Sequence, residues 1–162
     1  PEVLRDHGLS AVASGYYASL PAAIGILGVL IIPRLATSNR LIPFLGLLFG
    51  AVMLASILLQ FPDNLPMTAG LILQGLARGS MMTLAIMLLM ETPGVPEERL
   101  GLAVGMFFAA AEIGGVLGPV IFGALAYLSA GFAVPLIAIT SGAAGLLGAL
   151  VLLGRLRSAQ GQ

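Results

Sequence analysis

The sequence predicts an all-α membrane protein of about five transmembrane helices, and three observations carry that prediction. Hydrophobic residues fill 59% of the 162 positions and charged residues only 9%, with a mean hydropathy of +1.07. A water-soluble domain of this size cannot present such a surface to solvent. The apolar residues also fall into five runs, separated by short polar breaks, each near the roughly 20 residues that a hydrocarbon core requires. Finally, the chain contains 22 Gly and 10 Pro, residues that weaken helices in water but are tolerated where transmembrane helices pack together.

The first span extends over about 10–32, with Ser10 as N-cap after Gly8 and Pro33-Arg34 at its close. Its early face is mildly polar, carrying Ser14, Tyr16, Tyr17 and Ser19. The second covers about 41–60, and Phe61-Pro62-Asp63-Asn64-Leu65-Pro66 then makes a tight turn in which Asp or Asn can cap the next helix. The third runs over about 65–90 until Glu91-Thr92-Pro93-Gly94-Val95-Pro96 breaks it. Pro96, Glu97 and Glu98 suit a first helical turn, because proline needs no donor there and carboxylates favour the positive end of the helix. The fourth span follows over about 100–128, Ser129-Ala130-Gly131 turns the chain, and the fifth covers about 132–153 before a polar tail with Arg155 and Arg157. The whole chain, 1–162, is accounted for as one transmembrane domain.

Charge placement predicts orientation. With the C-terminus in the cytoplasm, the inner segments hold Arg34, Arg40, Arg99, Arg155 and Arg157, and the outer segments only Arg5. Basic residues near span ends are retained inside, so the expected arrangement is N-terminus outside and C-terminus cytoplasmic, in the cell membrane. The opening Pro1–His7 has no initiating Met, basic n-region or cleavage site, so an upstream part of the polypeptide is expected.

Composition also narrows the chemistry. There is no Cys, and His7 is the sole histidine, expected as a solvated loop residue. No metal-ligand cluster, His–nucleophile pair or phosphate loop is present, so neither an enzyme nor a cofactor or metal is expected. Zero net charge gives no pull toward nucleic acid. The expected partners are the lipid bilayer and a small-molecule solute. Tyr16 and Tyr17, at the mouth of the first span, read as interfacial anchors. Glu91, Glu97, Glu98 and Arg99 read as a solvated capping cluster.

Taken in order, a polar outer segment, a helix ending in Pro33-Arg34-Leu35-Ala36-Thr37-Ser38-Asn39-Arg40, an outer turn, an acidic-then-Arg inner loop and a Gly-Pro helix resemble the C-terminal half of the major facilitator superfamily. The inner loop is similar to that family's Gly-x-x-x-Asp-Arg-x-Gly-Arg-Arg pattern, keeping Arg34 and Arg40 but with Thr37 where the Asp is sought. The stretch Gly114-Gly115-Val116-Leu117-Gly118-Pro119-Val120-Ile121-Phe122-Gly123 is similar to the Gly-x-x-x-Gly-Pro-x-x-Gly-Gly signature of the exchangers' fifth helix, displaced to the pseudo-symmetric eleventh. Within the superfamily the chain resembles the cyanate and nitroimidazole transporter-like group. The resemblance implies that the five spans are helices eight to twelve of a partial six-helix half, with the seventh helix and the N-terminal half of the same transporter missing. It further implies secondary transport of a small polar or anionic solute by alternating access, which the fragment alone should not perform. Two rivals are a small membrane protein that assembles into an oligomeric pore and a non-transporting membrane scaffold.

Two ionisable residues stand well inside spans, Arg78 in the third and Glu112 in the fourth. A charge at the bilayer centre costs about 2.5–3.5 kcal/mol on insertion scales, so each needs a partner or a wet cavity. Counted from the inner ends, both are about 16–18 Å deep at roughly 1.5 Å per residue. That shared level is where secondary transporters commonly bind substrate. In one reading Arg78 faces a central cavity and engages the substrate, while Glu112 neutralises it or takes up a coupling proton. In the other, the two form a structural pair between neighbouring helices. Gln74, four residues before Arg78, shares its helical face and can hold the guanidinium, the substrate or a neighbouring helix. The spacings Gly75-x-x-x-Gly79, Gly101-x-x-x-Gly105 and Gly114-x-x-x-Gly118 permit close helix contact, expected within the molecule rather than between copies.

Overall fold

The structure is a computed structural model that describes residues 2–37, 40–61, 63–92 and 96–160, with side chains up to residue 156. Pro1, Ser38 and Asn39 of the loop motif, Pro62 of the turn, Pro93-Gly94-Val95 of the break and the Arg157 side chain lie outside the described residues. Among the described residues the fold is all-helical, with a short helix α1 (Glu2–Asp6) followed by α2 (Ala11–Leu35), α3 (Leu41–Leu58), α4 (Asn64–Met90), α5 (Glu97–Leu128) and α6 (Ala133–Gln160). Helices α2 to α6 are each long and apolar enough to cross a membrane.

Helix α1 is an addition to the expected order. At five residues it is too short to show a hydrophobic period, and it is closed by Gly8 in the left-handed region at φ 85°. The amides of Gly8 and Leu9 donate to Arg5 O and Leu4 O at 2.9 and 3.2 Å, satisfying the terminal carbonyls. Leu4 is then buried among Leu59, Met67, Leu71 and Leu136, so α1 lies across the end of the bundle where α3 stops and α4 and α6 start. His7, at the end of this turn, is half-buried and its Nδ1 is enclosed without a hydrogen-bond partner among the described residues. It is therefore not the solvated loop residue expected.

The helix ends follow local chemistry. Ser10 caps α2, its Oγ accepting the Ala13 amide at 3.2 Å. The helix continues through Pro33 rather than stopping before it, because proline's fixed φ is helical and the loss is one hydrogen bond in the last turn. Arg34 stands there against the negative helix end. Asp63 takes the N-cap position of α4 without a side-chain bond, and Pro96 precedes Glu97 and Glu98 at the start of α5.

Helix α5 ends on an alanine in a glycine's conformation. Ala130 has φ 52°, with its own amide donating to Tyr127 O at 3.4 Å and the Gly131 amide to Ala126 O at 3.1 Å. An L-residue held there costs about 1 kcal/mol or more relative to glycine. Ala130→Gly is expected to stabilise the chain by about 0.5–1 kcal/mol, read as slower hydrogen exchange at the Gly131 amide and a higher midpoint in detergent unfolding.

Helix α4 is the hub, packed against α2 on one side and α3 on another, while α6 lies against α3. Helix α5 touches α4 and α6 only lightly and buries none of its side chains. Two apolar clusters form at opposite ends of the bundle. One gathers Leu4, Leu59, Met67, Leu71 and Leu136, and the other Ile32, Leu41, Leu45, Leu84 and Leu150 among others.

Between these clusters α2 and α4 cross nearly backbone to backbone. A Cβ placed on Gly75 would stand 2.5 Å from Pro21 O, one on Gly79 would overlap Gly25 O, and one on Gly28 would meet Leu76 O and Ser80 Oγ at 2.9 Å. Lipid is as apolar as leucine, so close packing of this kind, not burial from water, holds membrane helices together. The Gly75-x-x-x-Gly79 spacing thus packs within the molecule, whereas Gly101, Gly105, Gly114 and Gly118 on α5 have nothing within 4 Å.

Hydroxyls inside the spans mostly satisfy themselves. Ser56, Ser80, Thr140 and Ser141 each donate to the carbonyl four residues earlier at 2.9 Å. Ser14 instead is 1% exposed with its Oγ unpartnered among the described residues. Removing a buried hydroxyl that has no partner relieves a desolvation cost of about 1 kcal/mol, so Ser14→Ala is expected to raise the unfolding midpoint in detergent.

Candidate functional site

Arg78 stands fourteen residues after the start of α4 at Asn64 and twelve before its end at Met90, which at about 1.5 Å per residue puts it close to the middle of the span. Its backbone neighbours Gly75 and Gly79 are locked against α2, and this fixes which way the Arg78 side chain can leave. It turns to the open flank of the crossing. The guanidinium-bearing side chain lines a cleft with Pro21, Ala22 and Gly25 of α2 on that flank. It also lines a cavity of ≈ 290 Å³ whose walls come from α1, α2, α4, α5 and α6, including Leu4, Ala18, Leu71, Phe122 and Leu136.

Gln74 lies one turn before Arg78, and the two share the exposed face of α4. Both line the ≈ 290 Å³ cavity, and Gln74 also lines an adjoining cavity of ≈ 580 Å³ with Gly118, Pro119, Phe122, Pro135 and Ile139. The three hollows form a trough along α4, with Arg78 at one junction and Gln74 at the other. Phe122 and Phe132 stack at 5.9 Å beside it and stiffen its outer wall.

Glu112 is placed differently. It sits at the centre of α5, exposed, and is not among the residues lining the hollows around Arg78. Arg5 and Glu2 on α1 stand within ion-pair distance at 3.5 Å, whereas Arg78 and Glu112 are not brought together among the described residues. Equal depth along two helices does not place two side chains on facing sides, and α5 meets α4 too lightly to bridge the gap. The structural pair is therefore not present, and the constellation that assembles is Arg78 with Gln74.

The remaining candidates also find places. Tyr16 is 75% exposed at the first turns of α2, while Tyr17 packs on the cluster around Leu4. Tyr127, 87% exposed in the last turn of α5, stands at the same end of the bundle by the alternation of the helices. Sequence reasoning missed Pro21, Phe122 and Leu136 as cleft walls; the internal proline in the first span was the one signal that could have pointed there. Among the described residues no group of three His, Asp or Glu gathers to hold a metal.

Fold and site together define an all-helical integral membrane protein with a largely apolar trough beside its central helix, into which Arg78 and Gln74 bring the polar groups. The chain matches no protein-family model, no curated protein and no solved structure.

Proposed function

We propose that the chain is the C-terminal part of a secondary active transporter of the major facilitator type, with helices eight to twelve here and the seventh helix and N-terminal half supplied upstream. The intact protein moves a small polar or anionic solute by alternating access, and Arg78 anchors that solute with help from Gln74. One observation carries the reading: a mid-helix arginine faces a cavity instead of a carboxylate among the described residues. An arginine retained at that depth without a structural partner marks a pathway for solute or ion. The bare flank of α5 supports the missing helix, because a span that buries no side chain leaves room for a neighbour. Glu112, unengaged on that helix, takes up a coupling proton in this scheme. The orientation is N-terminus outside and C-terminus cytoplasmic in the cell membrane, supported by the distribution of arginines.

Reading the gene upstream tests the architecture, since about seven further apolar spans are expected. Solute uptake into proteoliposomes by the intact protein tests the role of Arg78, and normal uptake by Arg78→Gln removes it from the site. A second reading draws on the same α5 flank. Copies of this chain can cover the open flank of α5 that carries Gly101 and Gly105 and enclose an oligomeric pore, which mass photometry in nanodiscs would report as a closed multimer.

A further inference from the structure

We infer that the trough selects an organic monoanion with an apolar body, its acid group on Arg78 and its body against Phe122, Leu136 and Ile139. The inference rests on Arg78 being the solute anchor and goes further, from solute in general to a chemical class. Three features of the trough decide it. Among the described residues, Arg78 is the sole charged residue lining its three hollows. One fixed positive charge compensates one negative charge. A dianion would leave its second charge beside aromatic and aliphatic walls, where an unpaired charge is strongly disfavoured, and a cation would meet the guanidinium itself.

The polar groups, secondly, are confined to one side. Gln74 and Arg78 follow each other by one helical turn on α4, so a planar acid can accept a forked pair of hydrogen bonds from the guanidinium and one more from the amide. The opposite wall offers Phe122 from α5 and Leu136 and Ile139 from α6, with no polar side chain among them. A solute whose polar and apolar ends are separated matches that division better than one that is polar throughout.

Thirdly, the apolar space continues past the acid site. The ≈ 290 Å³ hollow that holds Arg78 shares Gln74, Phe122 and Ile139 with the ≈ 580 Å³ hollow bounded by Pro119 and Pro135. A chain or ring attached to the acid therefore has somewhere to go.

The test uses the intact transporter reconstituted in phosphatidylcholine nanodiscs, with equilibrium binding of radiolabelled acetate, hexanoate, benzoate and succinate. Hexanoate and benzoate are expected to bind saturably and at least about tenfold tighter than acetate, the effect of burying roughly half of hexanoate's extra methylenes. Succinate is expected to bind no better than acetate, and hexylamine not to compete. Arg78→Gln should abolish saturable binding of all the acids while leaving the helical content and elution profile unchanged. Phe122→Ala and Ile139→Ala should weaken hexanoate and benzoate but not acetate. Succinate binding as tightly as hexanoate in an Arg78-dependent way would overturn the class and keep the anchor. Binding that Arg78→Gln leaves intact, or no saturable binding at all, would overturn both.

Discussion

Gly79→Ala is expected to destabilise the chain by about 3 kcal/mol, at the upper end of the usual cost of overpacking. The reason is geometric. The added methyl would overlap Gly25 O and stand 2.9 Å from Gly25 C and Cα, so it meets backbone rather than a side chain that can swing away. Helices α2 and α4 must then separate, and with them go the contacts that Gly75 and Gly28 make with Pro21, Leu76 and Ser80. Separation also shifts the wall of the Arg78 cavity, since Pro21 and Ala22 belong to it. Reversible unfolding in mixed micelles measures the effect, with Gly105→Ala as the control. Gly105 has open space around its Cβ position, so that variant is expected to be neutral or to gain up to about 1 kcal/mol from alanine's helix propensity. Equal unfolding midpoints for the two variants would refute the tight crossing.

The second large effect separates Arg78 from Glu112. In the intact transporter, Arg78→Gln is expected to abolish both solute counterflow and accumulation, because the anchor itself is lost. Its unfolding midpoint should hold or rise, since a mid-span charge costing about 2.5–3.5 kcal/mol on insertion scales is removed. Glu112→Gln is expected to leave counterflow intact and to abolish accumulation driven by a pH gradient. Counterflow needs solute binding and conformational exchange alone; accumulation also needs the proton. The double variant should behave as Arg78→Gln, with additive stabilities, because the two side chains do not meet among the described residues. A Glu112→Gln variant that loses stability, rescued by adding Arg78→Gln, would restore the structural pair and sink this assignment.

Depth was legible along the chain, and azimuth was not. The positions of Arg78 and Glu112 along their helices follow from the rise per residue, and both residues do stand near the middle of their spans. Which side each faces follows from packing. In a soluble helix a polar stripe announces the outward face, but α2 to α6 are apolar nearly all round and carry no such stripe. The small residues were the remaining markers, and three glycine spacings looked alike in sequence. Only Gly75 and Gly79 found a partner, because Pro21 and Gly25 of α2 offered bare backbone at a matching interval.

Composition and hydropathy alone determined the solvent, the number of spans and the approximate places where the chain turns, since each of these is a sum over consecutive residues. Tertiary structure decided that α1 closes one end of the bundle, that α5 stands apart, and that Arg78 opens onto a cavity shared with Gln74 while Glu112 does not. The physical reason is that lipid and helix interface are almost equally apolar. Hydrophobicity therefore fixes how deep a residue lies but says nothing about its neighbours, and close contact between backbones makes that choice.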